Sequence, residues 1–307
     1  MVSPYLSHTV CRAVRRGRAA ALPLLIVGLL MSLSSSAHPF HYDNGERIPL
    51  WGDSTGSHVG QASITPYLTD ASATAVIIFP GGSYFWIGSG GEGDAVGRWL
   101  QAQGVNAFVV RYRVAGWWSW FTHGRLLRRG ICHPDMYDDG QQALRWVRQR
   151  AAHYGIDTAR IGVMGFSAGG HLASVQACYG ALRPAFVAAI YPVVTMTDPS
   201  VHQRSRRGLV GEHWRRKPTL CDSLSVERHI PANCPPFFIV VCDDDPVVDY
   251  RNALLLDSAL TRRAIPHHLF RCATGGHGFG VSDKKGSAES RPWKTHFIGW
   301  LKTMHLL

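Results

Sequence analysis

The chain has 307 residues, of which 46% are hydrophobic and 17% charged, and its formal net charge is +11. It contains no low-complexity run, so the composition is that of a folded chain with a sizeable core. Length alone permits one domain or two, and one compact domain is the simpler expectation. No nucleic-acid-binding motif accompanies the positive charge, and we expect no nucleic-acid partner.

The first 37 residues differ in composition from the rest. Four arginines between Arg12 and Arg18 precede an apolar run from Ala19 to Met31, and small residues then lead to Ala37. This is the three-part pattern of a secretory signal peptide cleaved after Ala37. The alternative is a membrane anchor, but the run is far shorter than the roughly 20 residues that span a bilayer. The sequence therefore predicts a secreted or periplasmic protein without stable membrane anchoring, whose catalytic domain covers residues 38–307.

Two basic clusters, Arg125 to Arg129 and Arg204 to Lys217, carry much of the remaining charge. The leader accounts for four positive charges and no negative ones, which leaves +7 for residues 38–307. Such clusters could attract an anionic polymer surface, although a solvated face is their commoner role.

From residue 74 onward, short apolar runs alternate with amphipathic segments. This alternation predicts an α/β fold in which helices cover both faces of a mostly parallel sheet. Apolar residues at helical spacing predict helices near residues 138–155, 253–260 and 293–301; Asp138 and Asp139 lie in the first turn of the first helix, and Gly155 is placed to end it. The predicted strands are Ala75 to Phe79, Ala107 to Arg111, Ile161 to Gly165, Phe186 to Tyr191, Phe237 to Val241 and His268 to Cys272.

Two segments interrupt the alternation, Val114 to His133 with its tryptophans and Pro192 to Pro235 with Trp214. Both follow strand ends. Ligands of open parallel sheets bind at the carboxyl ends of the strands, so these segments are predicted to form a lid or rim of the site. Their aromatic side chains could stack on sugar or aryl rings, or could pack the segments onto the body of the domain.

The pentapeptide Gly165-Phe166-Ser167-Ala168-Gly169 lies between a predicted strand and a helix-forming stretch. Strand, sharp turn and helix in this order predict a nucleophile elbow that exposes the hydroxyl of Ser167 above the sheet. A serine hydroxyl needs a base to take its proton. His277, in a glycine-rich loop directly after the last predicted strand, is the predicted base, whereas packing or capping is expected of His171.

The histidine needs a carboxylate that holds its tautomer, and three aspartates, Asp243, Asp244 and Asp245, follow the strand that starts at Phe237. Serine, aspartate and histidine in this chain order resemble the α/β-hydrolases. In hydrolases of this type the acid usually precedes a valine by three positions. This spacing favours Asp245, which precedes Val248, and leaves Asp244 as the alternative.

An oxyanion hole needs backbone N–H groups aimed at the developing negative charge. The loop Pro80-Gly81-Gly82-Ser83-Tyr84 follows the first predicted strand of the alternation. The N–H groups of Gly82 and Ser83 are predicted to act together with that of Ala168. A plain tight turn is the alternative reading of this glycine pair.

Six cysteines follow the leader, and an oxidising compartment would permit disulfides. Cys221 and Cys234 would close a short loop, and Cys242 and Cys272 could meet if their strands are neighbours. The sequence does not fix either pairing. The spacing of cysteines and histidines indicates no zinc site.

The motifs together resemble bacterial acetyl xylan esterases and feruloyl esterase-like α/β-hydrolases, some of which are labelled endo-1,4-beta-xylanase. Further stretches that carry the resemblance are Gly91-Glu92-Gly93, Arg111-Tyr112-Arg113, Tyr191-Pro192-Val193 and Gly275 to Gly280. The chain departs from the family in having Pro80 where a histidine is usual, Ser83 where a third glycine is usual, and a bulky tryptophan-rich insertion after Arg113.

The resemblance implies a secreted serine carboxylesterase that removes acyl groups, acetyl in particular, from carbohydrate esters through an acyl-enzyme, with no metal or organic cofactor. The label endo-xylanase fits poorly, because glycosidases ordinarily use paired carboxylates rather than a serine triad. The same triad could instead cleave amides, formamides or peptides. A hydrolase-fold module that only binds carbohydrate or protein is a further alternative, although such modules generally lack a triad residue.

Overall fold

The structure, a computed structural model, describes residues 44–52, 62–122 and 131–307. The predicted signal peptide, residues 1–37, and the predicted basic cluster Arg125 to Arg129 lie outside the described residues. In the described part, no helix is both long and apolar enough to cross a membrane.

Six parallel strands form the body of the sheet, in the order β4-β3-β5-β6-β7-β8. Val, Ile and Phe dominate most of them, as is usual for strands that helices bury on both faces. Each strand lies within two residues of its predicted bounds, so the predicted α/β sheet is confirmed. The strands are β3 (Ala75–Phe79), β4 (Asn106–Arg111), β5 (Ile161–Phe166), β6 (Val187–Ile190), β7 (Phe237–Cys242) and β8 (His267–Cys272).

Two further strands, which the apolar pattern of the sequence does not predict, extend the sheet beyond β4. They are β1 (Ile48–Pro49) and β2 (Ser63–Tyr67), and β2 pairs antiparallel with β4. The segment Ser-Ile-Thr-Pro-Tyr has no apolar run, although every residue of it is buried. Pairing with β4 decides its conformation, which is a tertiary effect that local sequence does not show.

Helices pack on both faces of the sheet, and their apolar residues fall into two core clusters. The cluster on one face includes Val96 of α1 and Trp293 of α8, and the cluster on the other includes Leu144 of α3, Leu172 of α4 and Leu256 of α7. The helices are α1 (Ala95–Ala102), α2 (Gly116–Thr122), α3 (Asp135–Arg150), α4 (Ala168–Tyr179), α5 (Gln203–Val210), α6 (Pro218–Ser223), α7 (Arg251–Arg262) and α8 (Trp293–Thr303).

The bounds of α3 correct two expectations. The helix begins at Asp135, so Asp138 lies in its first turn, but Asp139 is buried and does not serve the helix end. The Asp139 carboxylate instead accepts hydrogen bonds from the indole N–H of Trp51 and the guanidinium of Arg113. The helix ends at Arg150, and Gly155 follows in a separate turn with φ +65°.

Among the described residues, Cys178, Cys221, Cys234, Cys242 and Cys272 are buried free thiols. Cys242 and Cys272 are register partners on neighbouring strands, as the sequence suggested they could be. Cys234 lies against Cys178, with 3.7 Å between the sulfurs, and not against Cys221.

Both unusual segments hold short helices. The first contains α2, and part of it lies outside the described residues; the second contains α5 and α6. Arg204 of α5 donates a hydrogen bond to the Ser83 hydroxyl, so this helix lies beside the loop that follows β3. Their role as a lid stays a prediction.

Candidate active site

Ser167 stands alone between β5 and α4, at φ +55° and ψ −120°. Backbone with positive φ is strained for a residue that has a Cβ, and such strain is often found at functional sites. The turn is tight because Gly165 has no side chain; a Cβ there would lie 2.0 Å from the carbonyl oxygen of Gly169. A Cβ on Gly169 would lie 2.0 Å from the carbonyl oxygen of Phe79, so α4 also approaches the end of β3 closely. The chain thus holds Ser167 at the carboxyl end of β5, with the first turn of α4 directly behind it.

Asp245 and His277 form a close pair at the neighbouring strand ends. His277 Nδ1 lies 2.7 Å from Asp245 Oδ2, and the Asp245 side chain is only 1% exposed. The other carboxylate oxygen, Oδ1, accepts hydrogen bonds from the backbone N–H groups of Val247 and Val248. The carboxylate is therefore fixed on both sides, and it can hold His277 in the tautomer that leaves Nε2 free to accept a proton.

The two other aspartates of this loop have separate contacts. Asp244 accepts hydrogen bonds from the N–H groups of Gly275 and Gly276, which precede His277. Asp243 pairs with Arg271 at the surface. The geometry therefore distinguishes Asp245, which contacts the imidazole, from Asp244, which holds the backbone of the histidine loop.

Ser167 and His277 both lie beside Tyr191, the residue that follows β6. The N–H of Ser167 donates to the carbonyl of Ile190, and the rings of Tyr191 and His277 lie 4.5 Å apart between centroids. Within the described residues, the Ser167 hydroxyl and the His277 ring do not form a hydrogen bond. Such bonds are often long in unliganded hydrolases and shorten when substrate is bound.

The loop after β3 approaches Ser167 closely. A Cβ on Gly81 would lie 3.0 Å from the Cβ of Ser167. Gly82 and Ser83 have φ +133° and +55°, and the Gly82 carbonyl accepts hydrogen bonds from Phe85 and Trp86 N–H groups. Among the described residues, the N–H groups of Gly82, Ser83 and Ala168 have no acceptor. All three are therefore available to a ligand oxygen.

His202, which directly precedes helix α5, and Arg204, within the helix, affect the electrostatics near the loop after β3. Burial, together with the positive charge of Arg204, lowers the pKa of His202 to about 4, so this imidazole is neutral at neutral pH. Arg204 carries its positive charge to the Ser83 hydroxyl, at 3.0 Å. A cation at this distance favours negative charge on a nearby ligand oxygen.

Glu92 and Tyr191 lie in stretches that carry the family resemblance, but no motif of the sequence predicts a role for either residue. The Glu92 carboxylate accepts hydrogen bonds from the Gly81 N–H and the Tyr191 hydroxyl. A single acidic residue in a glycine-rich segment has no pattern that reveals such a role. Only the folded arrangement brings these residues to the site.

An aromatic ledge, consisting of Trp86, Trp117 and Trp120, extends outward from the loop after β3. The rings of Trp86 and Trp117 are stacked, with centroids 4.7 Å apart, and Trp120 meets both edge to face. Trp117 is nevertheless 64% exposed. Exposed apolar surface of this kind is typical of binding surfaces.

Comparisons with known proteins give one family and several esterases. The BD-FAE family model matches residues 123–260. Acetylxylan esterase of Xylanibacter ruminicola is 32% identical over 227 residues, which are 72% of this chain and 44% of that protein. Endo-1,4-beta-xylanase B of Butyrivibrio fibrisolvens is 30% identical over 70% of this chain and 34% of its own length. The chain thus spans less than half the length of these curated relatives.

Among solved structures, the acetyl ester-xyloside bifunctional hydrolase of Caldicellulosiruptor lactoaceticus superposes with a TM-score of 0.75 at 29% identity. The match covers 86% of this chain and 98% of that one. The family resemblance stated from the sequence motifs is confirmed by these matches. The chain belongs to the family of α/β-hydrolases that carries the BD-FAE domain and includes these acetylxylan esterase-like proteins.

Proposed function

We propose that the protein is a serine carboxylesterase in which Ser167 is the nucleophile, His277 the general base and Asp245 the residue that orients the imidazole. The observation that carries this proposal is the hydrogen-bonded Asp245–His277 pair, with its buried carboxylate, at the same sheet edge as the strained turn at Ser167. The esterase names of the relatives support it.

The proposed reaction has two halves. His277 Nε2 takes the hydroxyl proton as Ser167 Oγ attacks the ester carbonyl carbon, and the resulting oxyanion accepts hydrogen bonds from the N–H groups of Gly82, Ser83 and Ala168. The tetrahedral intermediate then expels the alcohol, which leaves with the proton from His277. A water molecule, deprotonated by the same histidine, attacks the acyl-enzyme and releases the carboxylic acid and free Ser167.

Replacing the nucleophile tests the assignment. Ser167→Ala is expected to abolish hydrolysis of p-nitrophenyl acetate without changing the far-UV circular dichroism spectrum. Ser174→Ala is the matched control, because that hydroxyl lies in the same helix and donates only to the Gly170 carbonyl. A fluorophosphonate should add its mass to the wild-type chain and not to Ser167→Ala. Turnover by Ser167→Ala would contradict the proposal.

We also propose that the natural substrate is an acetylated polysaccharide such as acetylated xylan. The loop after β3 approaches Ser167, and the aromatic ledge begins at Trp86 in the same loop, so the ledge lies near the candidate nucleophile. Flat indole faces suit the apolar faces of sugar rings. Release of acetate from acetylated xylan, measured beside feruloylated xylan, an acetamide and a formyl amide, distinguishes this substrate from amide and formamide alternatives. Absence of acetate release, with rapid turnover of an amide, would refute it.

Export is part of the proposal and is supported by the sequence of residues 1–37, which lie outside the described residues. Expression of the full chain in a Gram-negative host should yield a periplasmic or secreted product whose N-terminal residue is His38. An intact N-terminus at Met1 on the mature product would contradict export by cleavage after Ala37.

A further inference from the structure

Glu92 lies in a five-residue π-helical turn, Gly90–Asp94, just before α1. Turns of this kind are rare and frequently occur at functional sites. Both carboxylate oxygens of Glu92 are used: Oε2 accepts a hydrogen bond from the Gly81 N–H at 2.9 Å, and Oε1 accepts one from the Tyr191 hydroxyl at 2.8 Å. Glu92 therefore joins the loop after β3 to the end of β6.

Tyr191 continues this connection to the histidine loop. Its phenol oxygen accepts a hydrogen bond from the Gly280 N–H at 3.0 Å, and its ring packs on the ring of His277. The residue is buried and has φ +37°, a conformation that a tyrosine rarely adopts. Gly280 also contacts the turn that holds Glu92, since a Cβ there would lie 2.5 Å from the Gly91 carbonyl oxygen.

This hydrogen-bonded connection joins two loops that follow strands lying far apart in the sheet. The loop with Gly82 and Ser83 follows β3, whereas His277 follows β8, and β5, β6 and β7 lie between those strands. Within the sheet, no direct pairing fixes one loop against the other. Three hydrogen bonds, from Gly81 to Glu92, from Tyr191 to Glu92 and from Gly280 to Tyr191, connect the two loops beside the candidate active site. We call this connection the bridge.

We propose that Glu92 and Tyr191 are positioning residues that set the oxyanion loop and the His277 loop at the separation the reaction requires. Catalytic groups must be held within about 0.5 Å of productive geometry, and a displacement of about 1 Å can cost roughly 100-fold in rate. This inference rests on the proposed esterase function, and it assigns the two residues no contact with the substrate.

The chemistry of the bridge explains why these residue types are suited to it. A carboxylate offers two acceptor oxygens, one for each donor, whereas glutamine offers one acceptor and a competing NH₂ donor. Burial, with the negative charge of Glu92, raises the pKa of Tyr191 well above its usual value. The phenol therefore keeps its proton and can donate to Glu92 while its oxygen accepts from Gly280.

The test compares Glu92→Gln, Tyr191→Phe and the double variant, using p-nitrophenyl acetate. Each single change should lower kcat about 10- to 100-fold and alter KM by less than about threefold, since ground-state contacts with the ester are unchanged. The rate of inactivation by a p-nitrophenyl phosphonate, which forms a tetrahedral adduct on Ser167, should fall in parallel. Because both changes break one bridge, the double variant should resemble the more impaired single variant.

Tyr67→Phe is the matched control. It removes a phenol that donates to Asp94, two residues after Glu92 in the same turn, without touching either loop. Its kcat should stay within twofold of wild type. In addition, amide hydrogen exchange across residues 275–281 should accelerate in Tyr191→Phe and not in Tyr67→Phe, which is a readout independent of turnover.

The possible failures are distinguishable. If the wild-type protein hydrolyses no ester, the proposed function fails, whereas an active wild type with folded Glu92→Gln and Tyr191→Phe variants of equal kcat overturns only the bridge. Equal losses in Tyr67→Phe would likewise show a general effect on folding. If Glu92→Gln does not fold, the nearly isosteric Tyr191→Phe decides the question alone.

Discussion

His277 Nδ1 lies 2.7 Å from Asp245 Oδ2, and the second oxygen of this carboxylate is held by two backbone N–H groups. The carboxylate therefore has no freedom to turn away from the imidazole. Since Oδ2 can only accept, the neutral ring must carry its proton on Nδ1, which leaves Nε2 without a proton and able to accept one.

Asp245→Asn is expected to lower kcat for p-nitrophenyl acetate by about 10³- to 10⁴-fold, because the amide can present its NH₂ group to Nδ1 and so favours the wrong tautomer. Thermal stability should change little, since the shape is retained. Asp243→Asn is the control, because Asp243 only pairs with Arg271 at the surface. Comparable losses in both variants would contradict the assignment.

Gly169→Ala should destabilise the protein by about 3 kcal/mol or more, because the added Cβ would meet the Phe79 carbonyl oxygen at 2.0 Å. For a domain of this size, that loss lowers Tm by roughly 10 °C. Gly299→Ala in helix α8 meets nothing within 4 Å and should stabilise by about 0.5–1 kcal/mol. Scanning calorimetry of the two variants checks both; a Gly169→Ala protein with wild-type Tm would disprove the close approach of α4 to the end of β3.

His171 should make the folding stability depend on pH. Its Nε2 donates to the Leu224 carbonyl and its Nδ1 accepts from the Tyr84 hydroxyl, so the buried neutral ring is fully hydrogen-bonded. Burial lowers its pKa from 6.5 to about 4. Above pH 6.5 the ring is neutral in both folded and unfolded chains, and its contribution is complete. As pH falls from 6.5 towards 4, the unfolded chain gains a proton that the folded chain refuses, so stability is lost.

Urea unfolding at pH 7.5 and pH 5 measures this effect. The wild-type protein should lose about 2 kcal/mol more than His171→Gln over this interval, because glutamine does not titrate. His202, whose pKa is also lowered, is present in both proteins and cancels in the comparison. Identical losses in the two proteins would show that His171 does not contribute.

Trp117→Ala should separate polymeric from small substrates. Loss of the indole that stacks on Trp86 is expected to raise KM for acetylated xylan about tenfold, while kcat/KM for p-nitrophenyl acetate stays within twofold. Trp118→Ala is the control, since Trp118 lies in the same helix at a similar exposure of 62%. Equal increases in KM for the two variants would indicate that xylan binds exposed apolar surface in general and not the aromatic ledge.

The sequence predicted those strands and helices whose pattern of apolar residues matches their burial in the fold. The strands β3 to β7 are apolar because both faces are buried, so their positions could be read from composition alone. The strand β2 could not, because Ser63 and Thr65 are buried only through its pairing with β4. Asp139 was misread for a similar reason, since its partners Trp51 and Arg113 are far away along the chain.

The residues of the candidate site also divide into those that a sequence motif reveals and those that only the fold brings together. Ser167 and His277 follow motifs with fixed neighbours, and the sequence could name them. The choice of Asp245 among three adjacent aspartates depended on the family's spacing, and the structure distinguishes it by a contact. Glu92 and Tyr191 have no local signature, because their role exists only across three loops.

The order of the sheet separates the proposed catalytic residues from the segment that holds α5 and α6. The proposed reacting groups follow β5, β7 and β8, and the proposed donors follow β3 and β5, whereas the segment that holds α5 and α6 begins after β6 and ends before β7. Exchange of that segment between relatives would leave all four strand ends in place. Replacement of the segment between β6 and β7 could therefore change substrate preference while the proposed catalytic residues keep their positions.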